Sequence, residues 1–75
     1  MDGKRLIEVR QMLGLKKKAM ARLFKISDRS VRRWEDDPDQ FPIPVAHAMA
    51  LELMVRYACP PAVAYKMATG EDFEG

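Results

Sequence analysis

The apolar residues of this chain recur at steps of three and four, a spacing that predicts amphipathic helices and no strand. Residues that end helices separate these segments, among them Gly14, the pair Pro60 and Pro61, and Gly70. The pattern predicts five helices, over residues 4–13, 17–24, 28–35, 45–58 and 62–69, and then a frayed tail. Because 75 residues allow only one hydrophobic core, we expect a single all-α domain over residues 1–75.

The composition excludes two broad classes of protein. With 48% hydrophobic residues the chain is too apolar to be disordered, and its 32% of charged residues leave no apolar run long enough to span a membrane. The single cysteine, Cys59, excludes an internal disulfide, and no secretory leader opens the chain. We therefore expect a soluble, cytoplasmic protein with no membrane contact.

Charge is strongly segregated along the chain. Residues 4–33 contain eleven basic and two acidic side chains, a charge of +9, whereas residues 34–75 contain two basic and eight acidic ones, a charge of −6. A concentrated positive surface on one half of a small domain is typical of proteins that bind nucleic acids. The alternative is an ordinary solvated surface, and the spacing of the charges has to distinguish the two.

The third predicted helix separates its charged side chains from its apolar ones. Its first four charged residues share an arc of about 140°, at about 100° per residue; they are Asp28, Arg29, Arg32 and Arg33. Val31 and Trp34 lie on the opposite side and are expected to be buried. Arginine can donate two parallel hydrogen bonds to guanine, and aspartate can accept one from cytosine. We interpret the charged face as base contacts to DNA, with a solubilising surface as the alternative.

A second set of basic and polar residues precedes this helix. Lysine carries a compact charge that suits phosphate, and the start of a helix offers free backbone N–H groups. Ser27 has the position of an N-cap for helix 28–35, whereas Lys16 stands where helix 17–24 lacks a capping side chain. We interpret five residues as phosphate contacts: Lys16, Lys17, Lys18, Lys25 and Ser27. Residues 4–35 then form the DNA-facing part of the domain.

Helix 45–58 is apolar nearly all round, and the short helices before it supply limited area to cover it. The excess apolar surface predicts pairing with a second copy of the chain, so that residues 43–70 serve both the core and a dimer interface. The expected interface residues are Met49, Leu53, Met54, Tyr57, Val63 and Met67. The alternative is that helix 62–69 covers helix 45–58 within one monomer.

The segment from Gly14 to Glu35, GLKKKAMARLFKISDRSVRRWE, closely resembles the helix-turn-helix of the Cro/CI repressor-like (XRE-type) family. The positions that match the family pattern are Met20, Ala21, Phe24, Ile26, Ser27, Val31 and Trp34. The later FPIPVAHAMALELM is similar to the next helix of that family, so the resemblance covers about residues 5–56. Lys17 replaces the glutamine that opens the family's second helix. Lys25 replaces the turn glycine, so either it adopts a left-handed conformation, at a cost of about 1 kcal/mol, or the turn differs slightly from that of the family.

The resemblance implies a lambda repressor-like five-helix domain that binds double-stranded DNA. It also implies a homodimeric repressor or autoregulator that binds an inverted repeat at a promoter, in a bacterial or phage-infected cell. Among small phage regulators, the segment ISDRSVR is similar to the anti-CRISPR-associated (Aca) proteins, which points to the promoter of an anti-CRISPR operon.

No set of residues indicates a catalytic site. His47 and Cys59 are too few ligands for zinc, they lack the third group that orients a nucleophile, and no glycine-rich phosphate cradle is present. We expect no enzyme activity, no metal, no cofactor and no small-molecule ligand. Two rival hypotheses remain: an antitoxin or protein-interaction adaptor that uses the apolar helices, and an enzyme, which the lack of a catalytic set of residues disfavours. A binder of single-stranded RNA is disfavoured further, because no cluster of aromatic residues lies among the basic ones.

Overall fold

Five helices form where the apolar periodicity predicts them. In a computed structural model that describes all of residues 1–75, they are α1 (Gly3–Met12), α2 (Lys17–Phe24), α3 (Asp28–Asp36), α4 (Val45–Arg56) and α5 (Pro61–Thr69). No strand is present, so the all-α prediction is confirmed. The predicted bounds differ from these by at most two residues, at the end of α4. None of the helices combines the length and apolar character that a membrane span requires.

Local signals determine where several of these helices begin and end. The carboxylate of Asp2 caps α1 by accepting a hydrogen bond from the backbone N–H of Arg5 at 2.7 Å. Ser27 caps α3, and Gly70 ends α5 in a left-handed conformation with φ 76°, both as predicted. Lys16 makes no side-chain cap for α2, which leaves the start of that helix open.

Eleven apolar side chains form one core, to which α1, α2, α3 and α4 contribute. They are Leu6, Val9, Leu15, Met20, Ala21, Leu23, Val31, Trp34, Ile43, Leu51 and Met54. Val31 is fully buried and Trp34 is 8% exposed, which confirms that the apolar side of α3 faces inwards. Since burial of one such side chain contributes about 1.5–3 kcal/mol, this pair holds α3 against α1 and α2.

The start of α1 lies close against the end of α3. A Cβ atom built on Gly3 would lie 2.8 Å from the carbonyl oxygen of Glu35 and 3.4 Å from that of Trp34. Real Cβ atoms do not approach a backbone oxygen so closely, so this position requires glycine for its lack of a side chain. The two helix ends therefore pack backbone against backbone.

A buried ion pair joins the same two helices. Nη2 of Arg10 donates to Oε1 of Glu35 at 3.1 Å, and Nη1 donates to the carbonyl oxygen of Leu15 at 3.0 Å. The side chains of Arg10 and Glu35 are 15% and 2% exposed. The sequence pattern does not reveal this pair, although each residue lies beside core residues on its own helix.

A second ion pair, at the surface, joins α1 to α4. Nε and Nη2 of Arg5 donate to the two carboxylate oxygens of Glu52 at 3.0 and 2.7 Å. These hydrogen bonds hold the pKa of Glu52 below its ordinary value. Because the two side chains are 35% and 44% exposed, water screens the pair and its contribution to stability is small.

Replacing Glu35 by alanine is expected to lower the free energy of unfolding by about 3 kcal/mol, because the charge of Arg10 then stays buried without its partner. The matched control is Lys66→Ala, which breaks the exposed pair between Lys66 and Asp72 and should cost less than about 1 kcal/mol. Urea denaturation measures both. Equal losses in the two variants would contradict the role assigned to the buried pair.

Candidate nucleic-acid interface

The outer face of α3 carries the charged residues that the sequence analysis assigned to base contacts. Arg29, Arg32 and Arg33 are exposed, and Asp28 is half-buried at the start of the helix. Val31 and Trp34 anchor the opposite face in the core. A helix of nine residues is thus fixed on one side and presents three guanidinium groups on the other.

The three arginines differ in what they contact. Nη2 of Arg32 donates to Oδ2 of Asp28 at 3.3 Å, an exposed pair across one helical turn. The guanidinium carbon of Arg33 lies 4.9 Å from the centre of the Phe41 ring and forms no ion pair. Arg29 contacts neither a carboxylate nor an aromatic ring. Arg29 and Arg33 therefore keep all their N–H donors free, while Arg32 and Asp28 partly satisfy each other.

The start of α3 offers two further donors to a ligand. Oγ of Ser27 accepts from the backbone N–H of Ser30 at 3.3 Å and lies 3.2 Å from the hydroxyl of that residue. The backbone N–H groups of Asp28 and Arg29 donate to no group in the chain. Free N–H groups at a helix start attract anions, and phosphate is one that fits them.

The start of α2 has a similar character. Lys16 and Lys18 are exposed, Lys17 is half-buried, and none of the three forms an ion pair with a carboxylate of the chain. The backbone N–H groups of Lys17, Lys18 and Ala19 also have no partner in the chain. Three lysines and three free N–H groups make this helix start strongly attractive to an anion.

The turn between α2 and α3 consists of Lys25, Ile26 and Ser27. Lys25 is exposed and adopts the predicted left-handed conformation, with φ 54° and ψ 46°. The N–H of Ile26 donates to the carbonyl oxygen of Ala21 at 2.9 Å, which closes the end of α2. Lys18 and Arg22 on α2 line a groove together with Ser27 and Asp28, so the turn brings the basic side of α2 next to the start of α3.

The ring of His47 lies between two aromatic rings beneath α3. Its centre is 4.3 Å from that of Phe24 and 5.5 Å from that of Trp34. This stack joins the first turn of α4 to the ends of α2 and α3. No group of three His, Cys, Asp or Glu side chains that could hold a metal ion occurs in the structure.

The last residues pack onto the domain, which corrects the expectation of a frayed tail. The ring of Phe73 lies 5.2 Å from that of Tyr65, and Nζ of Lys66 donates to Asp72 at 3.1 Å. Nη1 of Arg22 donates to the carbonyl oxygen of Glu74 at 3.2 Å. Arg22 is therefore less available to a ligand than its position on α2 suggests.

Helices α4 and α5 carry an exposed apolar surface. Five of the six residues assigned to a dimer interface are exposed by 47–79%; they are Met49, Leu53, Tyr57, Val63 and Met67. The sixth, Met54, is 6% exposed and belongs to the core, and it also lines the groove between the two helices. All eight residues that line the groove between the two helices are apolar, Leu53, Tyr57 and Met67 among them.

Comparison of the chain with protein-family models, with curated proteins and with solved structures gives no match. Its own geometry therefore carries the argument about function.

Replacing Lys25 by glycine is expected to raise the free energy of unfolding by about 1 kcal/mol, because glycine adopts a positive φ without the Cβ clash. The matched control is Arg22→Gly, within α2, which should lower it by about 1 kcal/mol. Urea denaturation of the two variants provides the measurement. A loss of stability in Lys25→Gly would show that the left-handed turn is not strained.

Proposed function

We propose that this protein is a sequence-specific regulator that binds double-stranded DNA. The proposal rests on the exposure of Arg29 and Arg33 and on their lack of carboxylate partners. Both are exposed on one face of α3 and have no carboxylate partner, while Val31 and Trp34 fix the helix from behind. Because neither guanidinium group is paired with a carboxylate of the chain, the donors of both arginines are open to a ligand on the same face.

In this proposal α2, the turn and α3 act as a helix-turn-helix within a lambda repressor-like domain. Helix α3 enters the major groove, where Arg29 and Arg33 each donate two hydrogen bonds to a guanine. Arg32 and Asp28 reach neighbouring bases after their mutual ion pair exchanges for contacts to DNA. The short turn of three residues supports this arrangement, because helix-turn-helix motifs join their two helices at about 90–120° through a turn of about 3–4 residues.

The phosphates are bound by the helix starts. Lys16, Lys17 and Lys18 lie at the open start of α2, and Lys25 lies in the turn. The free N–H groups at the start of α3, next to Ser27, give a second anion site. Such contacts fix the position of a protein on the duplex and carry no sequence information themselves.

A second copy of the chain is the proposed partner on the apolar surface of α4 and α5. The groove there has no charged residue in its lining, so it matches an apolar surface better than a polar one. A dimer with twofold symmetry places the same surface on both sides of the interface. Two copies of α3 then reach major grooves about 10 bp apart, or a multiple of that distance, on an inverted repeat.

Binding at a promoter represses transcription by occlusion, and the simplest target is the regulator's own promoter. The resemblance of ISDRSVR to the anti-CRISPR-associated regulators favours the promoter of an anti-CRISPR operon, in the cytoplasm of a bacterial or phage-infected cell. The second candidate function is that of an antitoxin or adaptor that binds a foreign protein. If the purified chain is monomeric, the exposed Leu53, Tyr57 and Met67 need another protein to cover them, which favours the antitoxin or adaptor.

Selection of bound duplexes from a random pool, at stated salt concentration, is expected to enrich an inverted repeat. Arg29→Ala or Arg33→Ala should cost about 1–3 kcal/mol of binding and relax the preference at one base pair of each half-site. Lys17→Ala is the control: it should weaken all sequences alike and reduce the dependence on salt. Unchanged sequence preference in both arginine variants would contradict the proposal.

Leu53→Glu is expected to convert a dimer into a monomer, because it places two charges in an apolar interface. Light scattering measures the change, and binding to the full inverted repeat should weaken more than binding to a half-site. Met12→Glu is the matched control, since Met12 is 60% exposed on α1. A wild-type chain that is monomeric at high concentration would contradict the dimer and favour the antitoxin or adaptor.

A further inference from the structure

The loop after α3 holds an aromatic ring in a fixed position. The backbone N–H of Phe41 donates to the carbonyl oxygen of Asp37 at 2.8 Å, which closes a tight turn. The side chain of Phe41 is half-buried and packs against the core, and Ile43, two residues later, is 8% exposed. The ring is thus supported by the core on one side and open on the other.

Arg33 lies over the open side of this ring, although acidic partners are close by in the sequence. Asp36 and Asp37 follow Arg33 by three and four residues, the spacings at which helix ion pairs form. Neither forms an ion pair with Arg33, and its guanidinium carbon lies 4.9 Å from the centre of the Phe41 ring instead. The attraction between a cation and the face of an aromatic ring accounts for this position.

The type of contact matters for what Arg33 can bind. The N–H donors of a guanidinium group lie in its plane and point outwards from its edges. Beside the Phe41 ring these donors have no acceptor in the chain, whereas a carboxylate would occupy two of them. Contact with Phe41 therefore restricts the motion of the long arginine side chain and preserves its capacity for two parallel hydrogen bonds.

We propose that Phe41 is a positioning residue, which orients the guanidinium group of Arg33 for recognition of one guanine in each half-site. This inference rests on the proposed function, and it adds a residue outside α3 to the determinants of specificity. The guanidinium group of Arg29 has no aromatic ring beside it to restrict its orientation. Because the ring also holds the guanidinium group in the complex, it hinders Arg33 from turning to another acceptor when its guanine is replaced, so Arg33 discriminates between bases more strongly than Arg29 does.

The test compares Phe41→Leu, Phe41→Tyr and the wild type on the selected duplex and on two altered duplexes. In the first altered duplex, the base pair at which Arg33→Ala loses its preference is replaced. In the second, the base pair at which Arg29→Ala loses its preference is replaced. Phe41→Leu should reduce discrimination about two- to five-fold at the Arg33 base pair and leave it unchanged at the Arg29 base pair. Phe41→Tyr, which keeps the ring, should behave as the wild type.

Discrimination is measured by competition of two duplexes for the same protein, so that a variant with a smaller folded fraction still gives a valid ratio. In the Arg33→Ala background, Phe41→Leu should have no further effect on discrimination, because the ring has lost the group it orients. The matched control is Phe73→Leu, which removes another half-buried ring, stacked on Tyr65, and should leave discrimination unchanged.

Three results would overturn the inference. The first is discrimination in Phe41→Leu equal to that of the wild type. The second is an equal loss of discrimination at both base pairs in Phe41→Leu. The third is that Phe41→Leu still lowers discrimination when it is combined with Arg33→Ala. Each leaves the proposed function intact, since the wild type still prefers its selected duplex. If the wild type prefers no duplex, the proposed function fails and the inference fails with it.

Discussion

The burial of one side of α3 is the constraint on which the rest of the molecule depends. A helix of nine residues is too short to be stable alone in water, so its existence and its direction come from the core. Val31 and Trp34 supply the apolar contact, and the ion pair between Glu35 and Arg10 fixes the last turn against α1. The outward position of Arg29 and Arg33 follows from this anchoring.

The structure divides the basic residues into two groups with different roles. Arg5 and Arg10 bind carboxylates of other helices, Arg32 binds one on its own helix, and Arg22 donates to the backbone of the tail. Of the basic residues without such partners, Lys4 lies on α1 and Arg56 on α4. The other six lie at the start of α2, in the turn and on α3; they are Lys16, Lys17, Lys18, Lys25, Arg29 and Arg33. The charge that a ligand meets is therefore smaller than the total for residues 4–33, and it is concentrated around α2 and α3.

Features that depend on a few adjacent residues could be predicted from the sequence. Periodicity indicated the helices and the burial of Trp34, and residue type indicated the cap at Ser27. The left-handed turn at Lys25 followed only from the resemblance to a family that has glycine there. Features that depend on which helices meet could not be predicted. Tertiary contacts create the ion pair of Arg10 with Glu35 and the contact of Arg33 with Phe41. They also bury Met54, which the sequence of an all-apolar helix does not distinguish from its exposed neighbours.

The most direct test of the central claim is nuclear magnetic resonance of the arginine side chains during titration with a selected duplex. If α3 presents its arginines to the major groove, the Nε–H signals of Arg29 and Arg33 shift on binding. The signal of Arg10, whose Nε is buried in the protein, stays in place. Unchanged signals from Arg29 and Arg33 at saturation with the duplex would contradict the account.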